Sequence, residues 1–235
     1  MELGKYWVTV ISHARPQNAK KMAKLIGRAT WYVGKDEAMD YLKEDVPNVV
    51  ESGRLCESRN RALEDAFKQG LTCVQLSDDL YKIYTPYFRE DVQKRRRKEI
   101  SFKETLAMMD TAESIFKLIG TSPTDNPLNW DGRDLRVNKF IIGDFMMIRP
   151  NDLRFDENLK LKEDYDYTLQ HITQVGGTLR FDNILPTFGH RTNIGGAVEY
   201  RTDFVEQSTI EYLRKKWGRF IKMNPKRDNE ILLNL

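Results

Sequence analysis

Apolar positions along the first eighty residues fall into short runs, each closed by a turn signal. Tyr6-Trp7-Val8-Thr9-Val10-Ile11 reads as a buried strand. The turn Ser12-His13-Ala14-Arg15-Pro16 follows, with Pro16 suited to a helix start. That helix is predicted to run to about Leu25 and to end at Gly27. Thr30-Trp31-Tyr32-Val33 is a second strand, Lys35 to Lys43 a second helix, and Asn48-Val49-Val50 a short third strand. Glu57 to Lys68 is a third helix, stopped by Gly70, and Leu71 to Leu76 is a fourth strand. Strands alternating with helices argue for a mostly parallel sheet, and the chain holds no GxGxxG to mark a dinucleotide site.

The second half is less regular. Lys94-Arg95-Arg96-Arg97-Lys98 is a like-charge run, read as solvated or, alternatively, as a phosphate contact. Ser101 to Leu118 reads as a helix whose Ser101 and Glu104 form a capping box. Thr121 to Asp134 is a loop. Lys139-Phe140-Ile141-Ile142 and Phe145-Met146-Met147-Ile148 read as a hairpin about Gly143-Asp144. Lys162 to Tyr167 opens a helix that ends near Gly176-Gly177, and Thr178-Leu179-Arg180-Phe181 is a further strand. Gly189 to Gly196 reads as a polar, flexible loop, Phe204 to Trp217 as a closing helix, and the tail after Pro225 as loosely held.

The expected fold class is therefore α/β, a Rossmann-like mixed sheet flanked by helices. We read one domain over 1–235: a nucleotide-binding half to about 80, an acceptor and catalytic half over about 100–220, and a tail over 221–235. A chain of 235 residues can bury a substantial core. No apolar stretch reaches the roughly 20 residues that span a bilayer, so no membrane partner is expected. No signal peptide is read in Met1 to Lys5. With only Cys56 and Cys73, neither a disulfide framework nor a zinc site is expected, which points to a cytoplasmic location. The net charge of +3 permits a nucleic-acid partner without demanding one.

The candidate chemistry starts at Val74-Gln75-Leu76-Ser77-Asp78-Asp79. Here an apolar strand ends in adjacent carboxylates. Ligands of open α/β sheets bind beyond the carboxyl ends of strands. Two acids there suit a divalent metal carrying phosphate, which makes a sugar-nucleotide transferase the natural candidate. The plainer reading is a solvated turn. Arg15 is a candidate for phosphate, since guanidinium matches its geometry. Arg59, like Asn60, lies inside a predicted helix, where Arg is ordinary. Ser12 and Asn60 could read a base or ribose, or serve only as cap and helix surface. Trp31 could stack on a base, although a Trp in an apolar strand is more often core. Gly195-Gly196 would let a loop approach the donor, or form an ordinary turn.

The ordered set Ser12-His13-Ala14-Arg15, Trp31-Tyr32-Val33, Arg59-Asn60, Ser77-Asp78-Asp79, Lys162 to Tyr167, His190 and Gly195-Gly196 resembles the GT-A-fold glycosyltransferases of the TET/JBP DNA-modification pathway. That group is similar to the base J glucosyltransferase and includes bacteriophage enzymes. The resemblance runs from Trp7 to about Trp217. It implies a UDP sugar donor, Mn2+ or Mg2+, and a hydroxymethylated pyrimidine in DNA as acceptor, 5-hydroxymethylcytosine first. It implies that Asp79 holds the metal with His190, that Asp78 contacts the sugar, and that Asp164 is the base of an inverting displacement, with Glu163 or Asp166 as substitute. The resemblance alone makes Arg59 a candidate for the nucleotide. Ser77 departs from the acidic triplet of related sequences and weakens the case for metal dependence. A non-DNA acceptor, a nucleotidyltransferase and a non-catalytic binding module stay open as alternatives.

Overall fold

The computed structural model describes residues 4–189 and 201–235. Its first half follows the alternation of apolar runs. Strand β1 (Tyr6–Ile11) leads through a 3-10 turn at Pro16–Asn18 into α1 (Ala19–Ile26), capped by Gly27 at φ 75°. Then come β2 (Thr30–Val33), α2 (Ala38–Lys43), β3 (Val49–Glu51), α3 (Leu55–Lys68) and β4 (Thr72–Ser77). The four strands pair in parallel, with Val8 beside Val74 and Val10 beside Trp31.

After β4 the chain leaves this sheet for β5 (Leu80–Arg89) and β6 (Lys94–Glu99). Helix α4 (Phe102–Met109) and β7 (Leu118–Thr121) follow, then β8 (Leu135–Val137) and β9 (Phe145–Ile148). Helix α5 (Glu163–Gln174), β10 (Thr178–Phe181), β11 (Leu185–Phe188) and α6 (Asp203–Trp217) precede a closing pair, β12 (Ile221–Met223) and β13 (Ile231–Leu233).

The main sheet has eight strands in the order β3-β2-β1-β4-β9-β7-β10-β8. All run one way except β9 and β8, which are antiparallel to their neighbours. It is a Rossmann-like mixed α/β sheet with helices on both faces. On one face Val8, Val10, Val74, Leu76, Phe145 and Met147 pack with α1, Tyr41 and α4. On the other, Cys73, Met146 and Ile148 pack with α3, α5 and α6. The period-2 alternation of each strand divides its residues between the two cores. A small antiparallel sheet, β11-β5-β6, starts directly beyond β4.

Three expectations are corrected. Residues 139–142 form no strand; β9 pairs instead with β4 and β7, so no hairpin stands about Gly143-Asp144. The helix from Ser101 stops at Met109, and the apolar residues near 118 belong to β7. The basic run is solvated, as read, and is in addition an edge strand, because β5 supplies it with backbone partners from Arg89↔Lys94 to Tyr84↔Glu99. The tail is held: β12 and β13 pair, and Ile221 and Ile231 enter the second core. Cys56 and Cys73 are both buried thiols.

Candidate active site

The carboxyl ends of β1 and β4 lie side by side, with Ile11 opposite Ser77. The turn after β1 therefore reaches the acids after β4. Ala14 takes a left-handed φ of 54°, and its amide donates to Glu37 Oε2 at 3.0 Å. Glu37 also pairs with His13. This fold of the turn brings Arg15 back over the acids. Its Nη1 donates to Asp78 Oδ1 at 3.1 Å and lies 3.9 Å from Asp79 Oδ2.

Asp78 takes a second bond from Ser12 Oγ at 2.6 Å. Since a hydroxyl has one proton, Ser12 must accept from Tyr41, whose oxygen lies 2.6 Å away. The Tyr41 oxygen in turn accepts from the Arg15 amide at 3.1 Å. Burial pushes the Asp78 carboxyl up to about 6 and Asp79 adds to the rise, while Ser12 and Arg15 oppose it. Burial likewise pushes the Tyr41 hydroxyl up to about 12, so it stays a donor. Asp79 accepts from Ser77 Oγ at 3.0 Å through Oδ1, and its carbonyl accepts from the Gly189 amide at 3.0 Å.

A second acidic group meets the first through the turn before β9. The Ser77 amide donates to the Asp144 carbonyl at 2.8 Å, and the Gly143 amide donates to Asp164 Oδ2 at 3.1 Å. Asp164 stands in the first turn of α5, entered through Lys162 at φ 58°. Burial, then the charge of Glu163, raises its carboxyl to about 7; Asp144 adds to the rise, and the Gly143 amide and Arg59 oppose it. The close packing explains Gly143: a Cβ there would lie 2.6 Å from Arg59 Nη2.

Arg59 is the buried organiser of this corner. Its Nε donates to Glu163 Oε1 at 3.1 Å, Nη1 to Gln75 Oε1 at 3.1 Å, and Nη2 to the Gly143 carbonyl at 3.0 Å. Gln75 Nε2 returns a bond to the Arg59 carbonyl at 2.9 Å. The neighbouring Asn60 holds Phe155 by its amide and carbonyl and reaches Glu157 at 2.9 Å. Both helix residues therefore spend their polar atoms inside the protein. Trp31 is core, with its ring 5.7 Å from that of Tyr41. Asp166 is fully buried and bonded to Gln170, Trp217 and Lys216.

The structure thus brings together Ser12, Arg15, Asp78 and Asp79, and beside them Glu163 and Asp164. His190, Gly195 and Gly196 lie outside the described residues. The reading by sequence missed Tyr41, Gln75, Gly143 and Asp144. Gln75 had a visible signal, a polar side chain inside the apolar run Val74 to Leu76. Among the described residues no three His, Cys, Asp or Glu side chains gather into a metal cluster. A hard divalent ion needs few protein ligands when phosphate and water complete its shell, and the Asp79 carboxylate is of the right chemistry.

No protein-family model matches the chain, and no curated protein matches it. Among solved structures it is similar to the crystal structure of mannose-1-phosphate geranyltransferase from Thermus thermophilus, at 13% identity and a TM-score of 0.35. The match covers 78% of this chain and 57% of that one, so the chain spans little more than half of that structure's length.

Proposed function

We propose that the protein is a transferase that moves a sugar from a nucleotide sugar to a hydroxyl acceptor. The observation that carries this reading is the meeting of two acidic groups at the strand ends: the Gly143 amide bonds Asp164, and the neighbouring Asp144 carbonyl accepts from Ser77, beside Asp78 and Asp79. Burial and the charge of Glu163 raise the Asp164 carboxyl toward neutrality. A carboxyl that titrates near neutrality can take a proton from an attacking hydroxyl. The pair beyond β4 stands at the strand ends where open α/β sheets place their ligands.

In this proposal Arg15 and Ser12 orient Asp78 toward the donor, and Arg15 offers its guanidinium to the diphosphate. Asp79 would hold Mn2+ or Mg2+, with His190 as a second ligand. When bound, the ion supplies Lewis-acid stabilisation to the departing diphosphate. Glu163 and Arg59 act as positioning residues that fix the first turn of α5. Gly195 and Gly196 would border the donor. Deprotonated Asp164 accepts the proton while the acceptor oxygen bonds the anomeric carbon and the bond to the diphosphate breaks, which inverts the sugar centre.

The finer form of the proposal takes UDP as the nucleotide and the hydroxymethyl group of a modified pyrimidine in DNA as acceptor, with 5-hydroxymethylcytosine first. It draws on the ordered motifs given above. No described helix is long and apolar enough to cross a membrane, and we propose a cytoplasmic setting. The test is incubation with Mn2+ and a panel of UDP sugars, with and without hydroxymethylcytosine DNA. Released UDP and nucleoside masses are read together. A nucleoside one sugar heavier supports the full reading. UDP release alone keeps the transferase and removes the DNA acceptor. Neither signal, or unchanged turnover in Asp164→Asn, overturns the proposal.

A further inference from the structure

The basic run becomes informative once its register is known. In β6 it lies opposite the outer half of β5, with Arg96↔Tyr87, Lys94↔Arg89 and Lys98↔Thr85. Alternation puts Arg95 and Arg97 on the other face. There they are used internally: Arg95 donates to the Leu128 carbonyl at 3.0 Å, and Arg97 pairs with Asp125 at 2.7 Å and covers the Tyr84 ring. Lys94, Arg96 and Lys98 are exposed and form no ion pair among the described residues. Tyr87, at 44% exposure, stands among them.

We infer that this face of the β5–β6 ribbon binds a single-stranded stretch of nucleic acid. Residues two apart on a strand are spaced by about 7 Å, so Lys94, Arg96 and Lys98 present a row of cations at the scale of successive phosphates on an extended strand. A flat aromatic beside such a row gives a base a stacking surface, and every base has a face to offer it. The single β5–β6 pair offers one row rather than a broad patch, which suits a strand better than a duplex. Strand β5 begins at Leu80, directly after Asp79, so Tyr87 lies about 27 Å along it from the acids. The bound strand would then lead toward the candidate active site. That last link rests on the transferase reading, whereas binding itself does not.

The test is fluorescence anisotropy with labelled oligothymidylate, a duplex of equal length and, separately, anionic phospholipid vesicles. The intact protein is expected to bind oligothymidylate more tightly than duplex. Lys94→Ala/Arg96→Ala/Lys98→Ala should weaken binding at least about tenfold at low salt and lower the log–log salt slope by about 2. Tyr87→Ala should weaken it about tenfold and leave the slope unchanged. A control of equal charge, Lys21→Ala/Lys24→Ala/Lys68→Ala, should bind as the intact protein does. All substituted side chains are exposed, and equal melting temperatures verify the fold. No oligothymidylate binding, a preference for duplex, or equal loss in the control overturns the inference; so does ribbon-dependent binding to vesicles alone. Binding without any UDP release would leave this inference standing and remove the transferase.

Discussion

The amide of Gly143 donates to Oδ2 of Asp164 at 3.1 Å, and this bond ties the raised carboxyl to the turn that precedes β9. Burial most of all, then Glu163 and Asp144, oppose ionisation, and the amide and Arg59 favour it. The balance leaves the group titrating at about 7. If Asp164 is the base, activity rises with pH through that value and levels off above it. A kcat profile from pH 5 to 9 checks this, and a limb near the ordinary carboxylate range of about 4 would exclude Asp164.

Stability should move the other way. Because the folded pKa of Asp164 lies above the unfolded value, the folded chain keeps a proton that the unfolded chain releases. Its contribution is fully present below the unfolded value and is lost as pH rises through about 7. Asp164→Asn removes that penalty. We expect it to abolish transfer yet raise Tm by about 2–4 °C at pH 8, with little change at pH 4. Calorimetry at both values decides it.

Arg59 and Glu163 meet at 3.0 Å with both side chains buried. Arg59→Ala strands the carboxylate of Glu163 without its partner and leaves Gln75 and the Gly143 carbonyl unsatisfied. Losses of about 3–5 kcal/mol follow from breaking a buried pair on one side. Adding Glu163→Gln should recover part of this, and urea unfolding of the single and double variants measures the coupling. Strictly additive losses would show that the two side chains act independently.

Tyr41 holds the turn after β1 by two bonds, to Ser12 and to the Arg15 amide. Tyr41→Phe keeps the ring packing and removes both. We expect a stability loss of about 1–2 kcal/mol, a several-fold higher KM for the nucleotide sugar, and a kcat nearly unchanged. An unchanged KM would separate this turn from donor binding.

The closing pair β12 and β13 should matter to the site. Ile231 is buried, and its carbonyl accepts from the Tyr165 hydroxyl at 3.0 Å, next to Asp164. Deleting residues 225–235 is expected to lower Tm by at least about 5 °C and to reduce transfer. Circular dichroism melts and UDP release test it together.

The parallel half was legible because β1, β2 and β4 are largely buried on both faces and bounded by turn residues. Runs such as Tyr6 to Ile11 and Thr30 to Val33 announce themselves by composition. Lys94 to Glu99 could not be read that way. Its pairing comes from β5, and backbone bonds hold an edge strand whatever its side chains. The stretch from Met109 to Leu118 carries helix-forming residues, yet Leu118 and Ile119 gain more by joining β7 in the core. At the candidate site, the acids after β4 and at the start of α5 were visible as local clusters. Arg59 was visible too, but its use was not. Only the fold shows that Gln75, Gly143 and Glu163, distant in sequence, take up its donors.

The reversed strand β9 has one further consequence. Because it runs against β4, its entry turn arrives at the edge where β4 ends, and residues 143 and 144 join the two carboxylate groups there, beside the Arg59 bridge from Glu163 to Gln75. In the transferase reading, the half that would select a donor and the half that would activate an acceptor are thus successive stretches of one chain that meet at this edge. A substitution in α5 that reaches Glu163 would therefore be felt through Arg59 at Gln75 of β4, on the nucleotide side. A seam stitched by a strand pair, a guanidinium and a glycine passes a change in one half on to the other.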